Sequence, residues 1–261
     1  MTMASAFDPL AAAQLLTQSR LGQIPRPLDL PPALCPKDAP QAYAVQDAVV
    51  RSRGPVAGWK VGASGPEALP SRSAITADSI WTSDEGRPLP LDTVRNVVIG
   101  VEAELVYELG QDLPARATPY TPAEVLAAMR SVRAAIEVCD TRYAAWGTQS
   151  AWCRMADQAC HGALLVGSGR QDVSAVEPLQ LPVTLSVNGS VAVQRSAWGN
   201  PAGDPLRLLV WLANEGARSL GGLRAGQWVT TGSCTGTVLV ARGATVVAEL
   251  GGVGRVELLC Q

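Results

Sequence analysis

The first 53 residues are predicted to form a helical N-terminal segment. Residues 6–22 carry apolar side chains at the three- and four-residue spacing of a helix face. A proline-rich connector, IPRPLDLPPALCPKDAP, follows. A second helix is predicted to begin at Asp38, a residue type that caps helices, with Gln41 in the capping-box position.

From residue 54 onward, short apolar strands bounded by glycine turns dominate the pattern. Strands are predicted at VAGWKVGA, VVIGVEAELVYEL and AIEVCD, and in the tail at GQWVTTG, TVLVA, TVVAELGG and GRVELL. Asn188 and Gly189 supply the positive φ angles of a two-residue hairpin turn. Helices are predicted after Asp204 and over TPAEVLAAMRSVRAA, the latter leading directly into the strand AIEVCD.

Strands in this pattern outnumber helices and do not alternate with them. This favours an α+β fold with a mixed sheet rolled into a β-roll or barrel and flanked by helices, rather than a doubly wound sheet. We therefore expect two parts, a helical segment over residues 1–53 and a catalytic mixed β-roll domain over residues 54–261.

Composition narrows the classes of function. The chain has 261 residues, 47% of them hydrophobic, and a formal net charge of −2. No basic block indicates nucleic-acid binding, and no long apolar run indicates a membrane span. The N-terminus lacks a secretory pattern, which favours the cytoplasm. Six scattered cysteines without a CxxC pair suit reduced, mostly buried thiols better than a disulfide framework or a zinc site.

Three glutamates are the main candidates for chemistry. Glu102 and Glu104 are two residues apart on a predicted strand and therefore point to the same face. A solvated edge strand would also explain that pair, but Glu137 lies in an apolar strand, where an isolated charge is costly unless it is paired. Three carboxylates form the oxygen-ligand set that Mg²⁺ or Mn²⁺ prefers.

Other polar residues are weaker candidates. Lys60, in GWKVG, is either a lysine that reaches out of a strand end or a charged donor beside the metal. The segment TTGSCTG, residues 230–236, is either an ordinary turn or a carboxylate-binding loop. The single histidine, His161, lies in apolar surroundings, where a histidine is more often structural than catalytic.

Taken in order, several of these motifs resemble one known family. The segments are AYAVQDAV, GWKVG, GVEAEL, AIEVCDTR, MADQACHGALLVG, GDPLRLLVWLAN and LRAGQWVTTGSCTG. From about residue 40 to 258 the chain is similar to the 2-keto-4-pentenoate hydratase family, which also contains 4-oxalocrotonate decarboxylases and belongs to the fumarylacetoacetate hydrolase superfamily.

The resemblance implies a mixed β-roll fold, an oligomer and a set of site residues. It implies that Mg²⁺ or Mn²⁺ is held by the three glutamates and that the pocket is lined by Lys60. It further implies substrate contacts from Thr231, Ser233 and Thr235. The partner implied is a small 2-keto or 2-hydroxydienoic acid, in a homo-oligomer or together with a sister decarboxylase.

One departure from the family pattern concerns the acid or base of the site. Ser71 occupies the place expected for a pocket aspartate, and Asp78, further along the loop, is the candidate to replace it. The predicted function is a hydratase of 2-hydroxy-2,4-dienoates in aromatic-compound catabolism. The alternatives are a 4-oxalocrotonate-type decarboxylase, a fumarylacetoacetate-type or acylpyruvate-type C–C hydrolase, and a non-catalytic partner subunit.

Overall fold

The computed structural model describes residues 7–83 and 87–261. Its α-helices are α1 (Pro9–Leu21), α2 (Ala39–Arg53), α3 (Pro122–Ala127), α4 (Ala151–Ala156) and α5 (Pro205–Trp211). Its strands up to the third helix are β1 (Val56–Gly62), β2 (Ser71–Thr76), β3 (Ile80–Thr82), β4 (Leu89–Leu91), β5 (Gly100–Leu109) and β6 (Leu113–Pro114). The later strands are β7 (Met129–Cys139), β8 (His161–Arg170), β9 (Val183–Val187), β10 (Ser190–Arg195), β11 (Gly222–Leu223), β12 (Trp228–Ser233), β13 (Val238–Leu239), β14 (Thr245–Leu250) and β15 (Gly254–Cys260).

Two mixed sheets make up the centre of the molecule. The larger has the order β2-β1-β12-β5-β7-β8-β3, with β13 also paired to β5, and the smaller has the order β10-β9-β14-β15-β4. Strands β1 and β12 are parallel, as are β3 and β8, whereas β5 and β7 are antiparallel. The predicted α+β fold with a mixed roll of strands is confirmed.

The main hydrophobic core lies between the two sheets. Leu105 and Ile136 of the larger sheet belong to the same buried cluster as Val246 and Leu258 of the smaller one. Because side chains alternate along a strand, the positions between the core residues of β5 face the other side of the larger sheet. That other side carries the glutamates of the candidate site.

The helix predicted over residues 6–22 corresponds to α1, which begins at Pro9, and the helix predicted to begin at Asp38 corresponds to α2. Asp8 and Asp38 cap α1 and α2 by accepting backbone N–H groups, and Gly22 ends α1 in the left-handed conformation that glycine adopts readily. The two helices form a second buried cluster with α4. Within the described residues, no helix is long and apolar enough to span a membrane. The division at residues 53 and 54 stays a prediction.

The helix predicted after Thr121 is much shorter than expected. Its capping box between Thr121 and Glu124 is present, but α3 ends at Ala127 and β7 begins at Met129. The residues Ser131 to Ala135 are paired with β5 in a continuous antiparallel ladder. Pairing in the sheet therefore overrides the good helix propensity of this stretch, because burial between two strands contributes more than local preference.

Candidate active site

Two neighbouring strands bring the three predicted glutamates together. Glu102 on β5 lies directly opposite Glu137 on β7 in the antiparallel register, and Glu104 lies two residues further along β5. Glu104 and Glu137 are each 1% exposed, and Glu102 is partly buried. The solvated edge strand is thereby excluded, because β5 has strands on both sides and two of the carboxylates are buried.

A cavity of about 150 Å³ opens onto these carboxylates. The residues that line it are Lys60, Val61, Gly62, Ser71, Glu102, Glu104, Glu137, Ala159, Gly232 and Ser233. Lys60 is the one cationic side chain in this lining, against three carboxylates. With all four groups ionised, the charge around the cavity is about −2, which a divalent cation would neutralise.

Lys60 is held as an ammonium group at the back of the carboxylates. Its Nζ atom lies 2.5 Å from Oε1 of Glu137 and donates a hydrogen bond of 2.9 Å to the backbone oxygen of Ala159. Burial opposes the charged form, but the carboxylates of Glu137 and Glu104 outweigh it and raise the pKa of Lys60 above its ordinary value. Lys60 is therefore a hydrogen-bond donor and a positive charge at neutral pH, and a poor base.

The carboxylates are costly to ionise in this arrangement. Burial, followed by repulsion from Glu137 and Glu102, raises the pKa of Glu104 well above its ordinary value. Burial and the charge of Glu137 also raise the pKa of Glu102, and burial raises that of Glu137. A divalent cation would relieve both the desolvation and the repulsion, so the donor set fits the Mg²⁺ or Mn²⁺ that the sequence predicts.

Hydroxyl groups orient two of the glutamates. The hydroxyl of Thr230 and the backbone N–H of Gly232 donate hydrogen bonds to Oε2 of Glu104, the latter at 3.1 Å. The hydroxyl of Thr237 donates to Glu102. The sequence does not predict these contacts, because nothing in it shows that a threonine on β12 or in the turn after it lies against β5.

The turn at residues 230–236 contributes fewer groups to the cavity than predicted. Ser233 lines it, and its Oγ accepts hydrogen bonds from the backbone N–H groups of Thr235 and Gly236. The buried hydroxyl of Thr231 donates to the backbone oxygen of Leu105 at 3.0 Å instead. The hydroxyl of Thr235 accepts a hydrogen bond from the backbone N–H of Ala103 and donates one to the backbone oxygen of Gly236. Neither threonine therefore faces the cavity.

Asp78 does not lie beside Lys60. It belongs to a short 3₁₀ turn, Ala77–Ser79, its side chain is 58% exposed, and its carboxylate forms an ion pair with Arg53. The prediction that Asp78 takes the place of the pocket aspartate is therefore wrong, because its carboxylate pairs with Arg53 and not with Lys60. Ser71, at the start of β2, does line the cavity, and Glu137 is the carboxylate that pairs with Lys60.

His161 lies directly behind Glu137. Its Nδ1 atom is 3.3 Å from Oε1 of Glu137, and its Nε2 atom is 3.0 Å from Oγ of Ser79. Burial, followed by the positive charge of Lys60, lowers the pKa of His161 well below its ordinary value, so the ring is neutral. The ring is 1% exposed and does not line the cavity, so it orients Glu137 rather than contacting a substrate.

The acceptor for Lys60 lies in an unusual stretch of backbone. Gln158, Ala159 and Cys160 have φ angles of 49°, 48° and 62°, a left-handed conformation that is unfavourable for residues other than glycine. The side chain of Gln158 donates to the backbone oxygen of Ala74 at 3.1 Å, which holds the stretch against β2. Strain of this kind persists only where the surrounding contacts enforce it, and here it places the Ala159 oxygen on Lys60.

Comparisons with known proteins identify the family of the chain. The chain matches the family described as fumarylacetoacetate (FAA) hydrolase C-terminal over residues 70–258. It is 30% identical over 235 residues to a 2-keto-4-pentenoate hydratase of Burkholderia vietnamiensis, covering 85% of this chain and 87% of that protein. It is also 30% identical to a 4-oxalocrotonate decarboxylase of a Pseudomonas species over 69% of this chain and 66% of that one.

Solved structures share the fold. A 4-oxalocrotonate decarboxylase from Pseudomonas putida G7, complexed with magnesium and adipate, has a TM-score of 0.79 at 23% identity, over 96% of both chains. The same protein complexed with calcium and acetate has a TM-score of 0.78. The chain therefore belongs to the fumarylacetoacetate hydrolase family, beside its 2-keto-4-pentenoate hydratases and 4-oxalocrotonate decarboxylases, and is an enzyme of the lyase class.

Proposed function

We propose that the protein is a divalent-metal-dependent hydratase that adds water to a 2-hydroxy-2,4-dienoate and yields a 4-hydroxy-2-oxo acid, in the catabolism of aromatic compounds. The observation that carries this proposal is the cavity lined by three glutamates and one lysine. The similarity to a 2-keto-4-pentenoate hydratase along most of both chains supports the reaction class.

The cation would be held by Glu102, Glu104 and Glu137. Three oxygen donors suit Mg²⁺ or Mn²⁺, and relatives with this fold are crystallised with magnesium or calcium. When bound, such a cation supplies a Lewis acid for the adjacent carboxylate and carbonyl oxygens of a 2-oxo acid.

Three side chains of the cavity would bind and orient the substrate and the water. The Lys60 ammonium, held by Glu137 and Ala159, would donate a hydrogen bond to the negative oxygen of the dienolate and so stabilise this anion once the 2-hydroxyl has lost its proton. The hydroxyl of Ser233 faces the same cavity, with its proton free because its Oγ accepts from two backbone N–H groups. Ser71 also faces the cavity and is suited to orient the water that adds to the resulting enone.

The charge of the cavity favours hydration over decarboxylation. A 4-oxalocrotonate-type substrate carries a second carboxylate at its remote end. No cation other than Lys60 lines the cavity in the described part of the chain, and Lys60 is already paired with Glu137. A substrate with one carboxylate is therefore the better fit.

A second candidate, the decarboxylase, is favoured by a different observation. Ser71 lines the cavity at the position expected for a pocket aspartate, so the carboxylate that would help to activate water is missing. The C–C hydrolase needs a histidine–glutamate pair that activates water. His161 and Glu137 do form a pair, but the histidine is buried away from the cavity, which gives that alternative no support.

One assay separates these activities. We expect the protein with Mg²⁺ or Mn²⁺ to consume 2-hydroxypenta-2,4-dienoate, measured as loss of the dienol absorbance, and to lose this activity when a chelator removes the cation. A parallel assay would follow CO₂ release from 2-oxohex-3-enedioate. CO₂ release without dienoate turnover would replace the hydratase by the decarboxylase, and cation binding without any turnover would favour the non-catalytic partner subunit.

Substitution of Asp78 by asparagine is expected to leave the activity within about twofold of the unchanged enzyme. The carboxylate is largely exposed and pairs with Arg53, and exposed ion pairs contribute about 0–1 kcal/mol to stability. Steady-state kinetics with the dienoate would measure this. A hundredfold loss of kcat with an unchanged melting temperature would show that Asp78 takes part in catalysis.

Association and location stay predictions. The resemblance of the sequence to its family predicts a homo-oligomer, or an assembly with a sister decarboxylase, acting on a small 2-keto or 2-hydroxydienoic acid. The cytoplasm is a separate expectation from the sequence. Sedimentation of the purified protein, alone and mixed with such a decarboxylase, would measure the assembly.

A further inference from the structure

Two cysteines that are distant in the sequence meet where the proline-rich connector lies against α4. Cys35 directly follows a short 3₁₀ turn, Pro32–Leu34, and Cys153 lies in α4. One ligand atom each from Asp29, Cys35 and Cys153 lies within 4.8 Å of the other two. None of the three residues lines the cavity of the glutamates, so this cluster is a separate group of potential ligands.

We propose that Asp29, Cys35 and Cys153 bind a thiophilic divalent cation such as Zn²⁺. Two thiolates and a carboxylate supply three of the four ligands of a tetrahedral zinc ion, and water completes the set. Sulfur ligands favour Zn²⁺ over Mg²⁺, which prefers oxygen. The protein would then hold two different cations in two sites of different ligand chemistry.

The three ligands are held in place before any cation arrives. The backbone N–H of Leu30 donates to Oδ1 of Asp29 at 2.8 Å, and the thiol of Cys35 donates to the backbone oxygen of Leu30 at 3.2 Å. The backbone N–H of Cys153 donates to Oγ of its helix cap, Ser150, at 3.1 Å. Because little ordering remains to be done, the entropic cost of forming the site is small.

The connector is also fastened to the loop before α4 by contacts outside the cluster. The backbone N–H of Ala144 donates to the oxygen of Pro27 at 2.8 Å, and the side chain of Gln149 donates to the oxygen of Leu28 at 2.7 Å. These bonds keep the connector within reach of α4 even if one ligand is replaced. Variants of the cluster should therefore fold.

Burial of the ligands increases from the surface inward. Asp29 is exposed, Cys35 is half-buried and Cys153 is buried, so a cation has a path from solvent. On binding, two S–H bonds break, two sulfur–metal bonds form, and two protons leave for solvent.

The cation would link two parts of the molecule. Its ligands join the connector between α1 and α2 to α4, and the chain continues from α4 into the stretch that carries the Ala159 oxygen. Ordering of this region supports the position of Lys60, while the cation itself stays away from the substrate. Its role is therefore structural.

Cobalt is a suitable probe, because Co²⁺ bound to thiolate absorbs in the near ultraviolet. The protein is first reduced, stripped of transition metals and then supplied with excess Mg²⁺. We expect it to bind one equivalent of Co²⁺ and to show a sulfur-to-cobalt charge-transfer absorption band. Cys35→Ser and Cys153→Ser should lose most of this band. Asp29→Asn, a substitution at an exposed position, should keep the band and weaken binding by at least about tenfold.

Cys139→Ser is the matched control. Among the described residues, Cys139 is the thiol of the second such cluster, where its sulfur lies within 4.8 Å of carboxylate oxygens of Glu102 and Glu137. A band that survives in this variant and disappears in Cys35→Ser supports the proposal, and the reverse pattern overturns it. So does the absence of a band in the reduced protein.

Thermal unfolding gives a second readout that does not depend on any activity. Zn²⁺ at about 100 times its Kd should raise the Tm of the Mg²⁺-loaded protein by about 5 °C, and should not raise that of Cys35→Ser. An equal rise in both proteins would overturn the proposal. A protein that does not turn over the dienoate but is stabilised by Zn²⁺ would refute the proposed hydratase activity and still support the zinc site.

Discussion

Replacement of Glu137 by glutamine is expected to lower kcat for hydration of the dienoate by at least about 1000-fold. Glu137 is buried, contacts Lys60 at 2.5 Å, and faces Glu102 across the strand pair. The amide is nearly the same size but removes one of the negative charges that would hold both the cation and the ammonium group. Calorimetric titration with Mg²⁺ should show a matching loss of affinity.

Glu108→Gln is the control for this substitution. Glu108 lies on β5 with the same strand parity as Glu102 and Glu104, but it pairs with Arg130 and Ser131 away from the cavity. Its variant should keep its activity and its affinity for Mg²⁺. Full activity in Glu137→Gln would contradict both the metal site and the mechanism.

The second large effect is expected for Lys60→Met, which should lower kcat by about 10²- to 10⁴-fold. The substitution keeps much of the length of the side chain and removes the charge that would stabilise the dienolate oxygen. In contrast to Glu137→Gln, it should leave the affinity for Mg²⁺ or Mn²⁺ unchanged or higher, because the ammonium group no longer competes for Glu137.

The chain offers a natural control, because its only other lysine, Lys37, is exposed. Lys37→Met should therefore behave as the unchanged enzyme in both measurements. If Lys60→Met lost cation binding together with activity, Lys60 would be organising the carboxylates, and its direct part in the chemistry would be refuted.

Much of the fold follows from local sequence features. The caps of α1 and α2, the Asn188–Gly189 hairpin and the capping box of α3 each depend on residues close together in the chain, and all are present. The length of α3 and the strand β8 were not predictable in the same way. Both depend on pairing with β7, a contact between distant segments that local preference does not reveal.

In the candidate site, too, the features that depend on local sequence are predictable and those that depend on contacts between distant segments are not. The shared face of Glu102 and Glu104 follows from strand parity, and the apolar surroundings of Glu137 indicate its burial. The contact between His161 and Glu137 depends on pairing between β7 and β8, at a position where the ladder is irregular. The sequence predicts Asp78 as the carboxylate that pairs with Lys60, but the actual partner, Glu137, lies on β7, three strands across the sheet from β1.

Opposing carboxylates also make the centre of the sheet a compromise between stability and activity. Glu102 and Glu137 face each other across adjacent strands, an arrangement that weakens strand pairing when both are ionised. A substitution that removed the charge of Glu102 would strengthen the cation-free fold while removing a ligand, whereas loss of Glu137 would leave the Lys60 ammonium unpaired. Screens for heat-resistant variants without added Mg²⁺ would thus select against the enzyme itself, and thermostability should be improved at positions remote from these two strands.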